Sequence, residues 1–146
     1  MSDWRILIIA GDFYRDIAEP MIKGAQDALE AAGAVHELAT VPGALEIPGV
    51  ITQAELADAD FDGYVALGCV IRGETTHYDY VCGESARGLM DLSLEGVPLG
   101  NGILTVENRE QAMARAVDKN KGKDAAEACL ALLKLRDRFR AEARGE

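Results

Sequence analysis

The segment Gly68–Cys82, GCVIRGETTHYDYVC, gathers the residues best suited to chemistry. Gly73-Glu74-Thr75-Thr76 falls just before a predicted helix. A turn in that place aims backbone N–H groups and threonine hydroxyls at an anion, and the helix dipole favours negative charge there. An ordinary capping turn, with a threonine capping the helix, would read the same way. Glu74 is awkward beside an anion, because its carboxylate repels one. Its side chain has to point outward and leave its N–H as the useful group. His77 follows at once. Imidazole exchanges protons near neutral pH, although a lone histidine is also a common structural residue. His36, at the start of a strand, has no comparable setting and reads as a surface residue.

Other candidates are scattered. Phe13 sits in a polar loop just past a strand, where an aromatic could stack on a flat heterocycle or anchor the loop in the core. Glu46, between Leu45 and Ile47, could accept from ligand hydroxyls or cap the next helix. Asn101-Gly102 inside a strand suggests a bulge or a close backbone approach. Arg115 and Lys121 flank DKNKGK and are by default solvated charges. Cys69, Cys82 and Cys129 lack metal-ligand spacing and read as reduced. Cys69 and Cys129 fit core positions, and Cys82 is a nucleophile only if it is electropositive and partly exposed. GxGxxG, GxxxxGK[ST] and GxSxG are absent, which removes the sequence support for an ordinary NAD enzyme, a P-loop nucleotidase or a serine hydrolase.

Alternating elements must position these residues. Arg5–Ala10, RILIIA, suits a strand covered on both faces. Pro20 fits a helix's first turn, Met21, Ala25, Ala28, Leu29 and Ala32 recur at helical spacing, and Gly33 is the stop. Val35–Val41 reads as a second strand, followed by a loop bracketed by Pro42-Gly43 and Pro48. A helix through Ile51, Ala54 and Leu56-Ala57 leads to a turn at Phe61-Asp62-Gly63. Tyr64–Val70 is the third strand. A polar stretch, Arg72–His77, precedes a helix from about Asp79 to Leu94. Leu99–Thr105 is the fourth strand. Asn108 caps a helix through Val117, and Asp118–Lys123 breaks it. The last helix carries Ala125, Ala128, Cys129, Leu132 and Leu135, and its charged tail, RDRFRAEARGE, should fray.

This alternation predicts one α/β domain, a three-layer α/β/α sandwich. Right-handed crossovers make a parallel, flavodoxin-like sheet of order 2-1-3-4 the simplest arrangement. Its switch point lies between strands one and three. The loops Gly11–Asp16 and Ile71–Tyr78 then meet there, with Pro42–Ile47 nearby.

Composition narrows the partners. The net charge of −10 argues against nucleic acid, but local fields can still hold a small anion. No apolar run approaches the ~18 residues of a membrane span. The beginning, MSDWRILIIAGD, lacks the basic and apolar regions of a signal peptide, which places the chain in the cytoplasm as an expectation.

Taken together, several segments resemble the lumazine synthase family of riboflavin biosynthesis. They are VPGALEIP (Val41–Pro48), GCVIRGETTHYDYVC, GILTVEN (Gly102–Asn108) and NKGKDAA (Asn120–Ala126), in the family's order and approximate spacing. The resemblance implies condensation of 5-amino-6-(D-ribitylamino)uracil with 3,4-dihydroxy-2-butanone 4-phosphate to 6,7-dimethyl-8-ribityllumazine, phosphate and water. The substrate's own amine attacks the ketone, so neither a cofactor nor a metal is implied. By the same resemblance, Phe13 stacks on the pyrimidine, and Ala44, Leu45 and Glu46 lie along the ribityl chain. Cys69, Val70, Ile71 and Asn101 border the ring. Glu74, Thr75 and Arg115 bind the phosphate, with Lys121 and Asp124 near it. His77 moves the proton.

The resemblance further implies a site shared between subunits of a homopentamer, or of decamers or icosahedral shells built from pentamers. One subunit brings Phe13, Glu46 and His77, and its neighbour brings Asn101 and Arg115. Riboflavin synthase is a candidate protein partner. Three positions depart from many relatives: Tyr14 replaces asparagine, while Leu45 and Asn101 replace phenylalanine. The Arg115–Lys121 interval is also shorter than in some. These departures keep open a flavin or lumazine carrier, or a shell subunit without turnover, on the same fold.

Overall fold

The computed structural model describes Asp3–Glu146; the first two residues of the amino-terminal stretch read above lie outside it. Four parallel strands form one sheet of order β2-β1-β3-β4, where β1 is Arg5–Gly11, β2 Val35–Val41, β3 Gly63–Ile71 and β4 Leu99–Val106. The helices are α1 (Arg15–Ala31), α2 (Ile47–Leu56), α3 (His77–Leu94), α4 (Arg109–Met113) and α5 (Lys121–Ala143). The doubly wound sheet and its strand order are those expected.

Side-chain alternation sorts the layers. Ile6, Ile8 and Ala10 of β1 and Val65 and Leu67 of β3 face a core with α1, α4 and α5. Leu7 and Ile9, with Tyr64 and Ala66, face a second core with Ile47 and Ile51 of α2 and Leu89 of α3. A strand buried on both faces therefore carries apolar residues at consecutive positions. Burying each such side chain contributes about 1.5–3 kcal/mol. The β2 edge is mostly exposed, and Arg5 ties it to β1 by pairing with Glu37.

Several boundaries differ from expectation. α1 begins before Pro20, because the Tyr14 carbonyl accepts from Ile17 and Ala18 N–H at 3.1 and 2.9 Å, and Ile17 and Ala18 extend the buried stripe. Pro20 therefore lies inside the helix, where its ring nitrogen cannot donate to the Asp16 carbonyl. Pro48 does not bracket a loop; it lies in the first turn of α2, after a short 3-10 turn over Ala44–Glu46. Gly33 stops α1 with φ 77°, as expected. Asn108 caps α4 by accepting from Gln111 N–H at 2.9 Å, and α4 passes into a π-helical turn over Ala114–Asp118.

α5 departs most. The break narrows to Lys119 and Asn120; Asn120 sits at φ 49° and accepts from Lys123 N–H, so the helix starts at Lys121. The tail does not fray at Arg136; it stays helical to Ala143, and Trp4 Nε1 donates to Asp137 at 2.8 Å. The buried stripe is Gly122, Ala125, Ala126, Cys129, Leu130 and Leu133, while Ala128, Leu132 and Leu135 are exposed. The cause is a backbone-to-backbone approach. A Cβ on Gly100 would overlap the Ala125 carbonyl, and one on Gly102 would lie 2.8 Å from Ala125 Cβ. Asn101-Gly102 is thus a close approach within regular pairing, opposite Ala66 and Leu67, and not a bulge.

Candidate active site

The carboxyl ends of β1, β2 and β3 release three loops that enclose a cleft of about 470 Å³. Phe13 and Tyr14 come from the first loop, Pro42–Glu46 from the second, and Cys69–Ile71, Gly73, Thr75, His77, Tyr78 and Val81 from β3 and the start of α3. The cleft stands at the topological switch point between β1 and β3, where such sheets bind ligands.

One part of the cleft suits an anion. α3 begins at His77, earlier than the expected Asp79, so the histidine occupies its first turn. Thr76 is the N-cap and makes no side-chain cap. Thr75 Oγ1 instead accepts from His77 N–H at 3.2 Å, so a threonine supports the turn without closing the helix end. Among the described residues, the N–H groups of Gly73, Glu74, Thr75 and Thr76 have no acceptor. Exposed N–H groups at a helix start form an anion site. Glu74 is exposed and does not line the cleft, so its side chain stands off from these donors.

Another part suits a flat ring. β3 pairs with β1 only as far as Ala10–Leu67, yet pairs with β4 out to Ile71–Val106. Cys69–Ile71 therefore run past the end of β1, and they line the cleft. Unpaired peptide groups can read the edge of a heterocycle. Phe13 is 74% exposed and meets Tyr14 edge-on, with centroids 4.8 Å apart. That exposure fits a stacking surface better than a loop anchor. Tyr14 packs on the core beneath it. Glu46 is exposed and makes no side-chain cap to α2, so the capping alternative does not hold. Ala44 is buried, and Leu45 is partly exposed beside it.

The cleft's cysteine is not activated. Burial pushes the Cys69 thiol up to about 11, against a smaller opposing effect of Arg109. Cys69 is half-buried at the cleft and not a sealed core residue, whereas Cys129 is buried and pushed up to about 12. Burial also raises Cys82, and Asp79 opposes the lowering effect of Arg72, so its thiol is not activated as a nucleophile's would be. His36 is half-buried and pairs with Glu30 at 2.8 Å. No cluster of His, Cys, Asp and Glu able to hold a metal occurs among the described residues, and no helix among them is long and apolar enough to cross a membrane.

Besides Glu74, four expected site residues do not line this cleft. Asn101 is exposed on β4 and accepts from Ile103 N–H at 2.9 Å. Arg115 is half-buried in the π-helical turn and donates to the Gln111 carbonyl at 3.1 Å. Lys121 and Asp124 pair with each other at 3.4 Å on the first turn of α5. Conversely, Tyr14, Pro42, Gly43, Tyr78 and Val81 line the cleft without having been singled out as site residues. Val81 follows His77 by four residues and Tyr78 by three, both helical spacings, which was the available clue.

Fold and cleft define a doubly wound α/β protein with a cleft at the switch point of its sheet. The family model for 6,7-dimethyl-8-ribityllumazine synthase matches residues 3–137, and the chain belongs to that family. A protein named 6,7-dimethyl-8-ribityllumazine synthase from Erythrobacter litoralis is 53% identical over 137 residues, covering 92% of this chain and 97% of its own. One of the same name from Novosphingobium aromaticivorans is 54% identical, covering 92% and 98%. 6,7-dimethyl-8-ribityllumazine synthase 1 of Rhizobium meliloti is 54% identical over 144 residues, covering 94% of each.

Proposed function

We propose that this chain is the transferase that condenses 5-amino-6-(D-ribitylamino)uracil with 3,4-dihydroxy-2-butanone 4-phosphate to 6,7-dimethyl-8-ribityllumazine, the penultimate step of riboflavin biosynthesis. The observation that carries this reading is a cleft that brings a ring slot together with an anion turn and His77, in a chain of this family. The substrate amine attacks the ketone and water leaves to form an imine. Phosphate is then expelled, and the ribityl-bearing nitrogen closes the ring with loss of a second water. None of these steps needs a bond to the protein. The chain's work is orientation, anion binding and proton movement.

In this reading Phe13 covers one face of the pyrimidine, and the main chain of Cys69, Val70 and Ile71 reads its edge. Ala44, Leu45 and Glu46 lie along the ribityl chain, and Glu46 accepts from its hydroxyls. The N–H groups of Glu74 and Thr75 hold the phosphate while His77 moves a proton beside it. Asn101 and Arg115, which lie away from the cleft of their own chain, complete the site of an adjacent subunit in a homopentamer or a larger assembly of pentamers. Lys121 and Asp124 stand near that arginine. The whole chain acts as one domain in the cytoplasm, with riboflavin synthase as the candidate protein partner.

Mixing both substrates with purified protein tests the activity directly. Lumazine absorbance should appear with one phosphate released per turnover; no product at high protein concentration would refute it. Mass measurement in solution tests the shared site, and a fully active monomer would overturn it.

A further inference from the structure

The residue that opens the anion turn also closes it. Arg72 ends the β3–β4 ladder, its N–H donating to the Val106 carbonyl at 2.9 Å. Its guanidinium then folds back over the start of α3. It lies 4.4 Å from the centroid of the Tyr78 ring and 3.8 Å from Asp79 Oδ1. On the other side Nε donates to Glu107 Oε2 at 2.6 Å. Glu107 is held in turn, its N–H donating to Gln111 Oε1 at 2.8 Å. One side chain thus joins the end of β3, the end of β4 and the first turn of α3. The stretch Gly73–Thr76 between these points has little of its own to hold it. Its side-chain support is the bond from His77 N–H to Thr75 Oγ1.

Arg72 could instead be a direct ligand for the phosphate. The geometry disfavours that. Two carboxylates already face its one positive charge, and Arg72 does not line the cleft, whereas Tyr78 beneath it does. We propose that Arg72 is a positioning residue, which with Glu107 clasps the start of α3 and so holds His77 and the turn's N–H groups against the substrate phosphate. This rests on the activity proposed above. Fixing donors before the ligand arrives removes the cost of ordering them on binding.

The test uses Arg72→Met, Arg72→Lys, Glu107→Gln and the Arg72→Met/Glu107→Gln double variant. These side chains are about half exposed, so the variants should fold. Each substrate is varied in turn, and inorganic phosphate is titrated onto every protein by calorimetry. Arg72→Met and Glu107→Gln should each raise the KM for the butanone phosphate, and the Kd for inorganic phosphate, by about fivefold. The double variant should be no worse than either single one. The KM for the ribitylaminouracil should stay constant, and Arg72→Lys should restore part of the loss because it keeps the ion pair without the planar stack. Tighter phosphate binding by Glu107→Gln would make Arg72 a direct ligand and overturn the proposal. So would additive losses, or equal changes in both KM values. If the wild type makes no lumazine, the proposed activity fails, and the phosphate titration alone decides the clasp.

Discussion

Replacing Phe13 by alanine separates a stacking surface from a loop anchor. About a quarter of the side chain is covered, since it is 74% exposed. On a Phe side chain of roughly 200 Å², at ~25 cal/mol per Å², that cover contributes at most about 1 kcal/mol to folding. The melting temperature should therefore fall by no more than about 4 °C. Binding should change more. Stacking a base on an aromatic contributes ~1–3 kcal/mol by alanine substitution. Here Phe13 offers one face and leaves the other side of the ring to other groups, so the low end, about 1–1.5 kcal/mol, applies. That predicts a five- to tenfold rise, roughly, in the KM for the ribitylaminouracil, with the KM for the butanone phosphate nearly constant. The assay is steady-state lumazine formation with each substrate varied, beside a thermal melt. An unchanged pyrimidine KM together with a large loss of melting temperature would refute the stacking argument and make Phe13 an anchor.

Removing the imidazole with His77→Ala should lower kcat by about a hundredfold without abolishing turnover, because orientation and anion binding survive; a wild-type rate would take His77 out of the mechanism. Gly100→Ala should destabilise the fold by about 3 kcal/mol, since the new methyl overlaps the Ala125 carbonyl and a helix backbone must move. An unchanged melt would show that α5 yields freely. Stability should fall with alkaline pH through Cys129. Its thiol is raised from 9.0 to about 12 in the folded chain, so the unfolded chain ionises first. The contribution is complete below pH ~9 and lost as pH rises towards ~12. Denaturation from pH 8 to about 11 should show a steeper decline for the wild type than for Cys129→Ser, and equal slopes would refute the assignment.

Much of this was legible because it is local. The run Arg5–Ala10 implied burial on both faces, and alternate residues do divide between the two cores. Asn108 and Gly33 marked helix ends through side-chain and backbone geometry confined to a few residues. The turn before His77 was equally local, and so was its ambiguity between anion site and cap. α5 was misread for the opposite reason. Its leucines suggested a stripe through Leu132 and Leu135, but the helix turns its smallest residues, Gly122, Ala125 and Ala126, towards the sheet and α1. The glycines that permit this, Gly100 and Gly102, lie on another element, so the phase of the helix was not written in its own periodicity.

The ring slot depends on a longer-range relation still. Peptide groups can read a ligand only where a strand lacks a neighbour on one side. Here that condition arises because β1 stops pairing with β3 at Ala10–Leu67 while β4 carries β3 onward to Ile71. The offset follows from the register of three strands, with Ile6 opposite Gly63 and Tyr64 opposite Leu99, and no single segment encodes it. The same offset projects Arg72 beyond the ladder, where Glu107 can reach it from the end of β4. Strand register thus opens the main-chain edge of the cleft and also sets the point at which the anion turn is fastened. A change that shortened β4 at Thr105–Val106 would disturb both ends of the site, although neither residue lines the cleft.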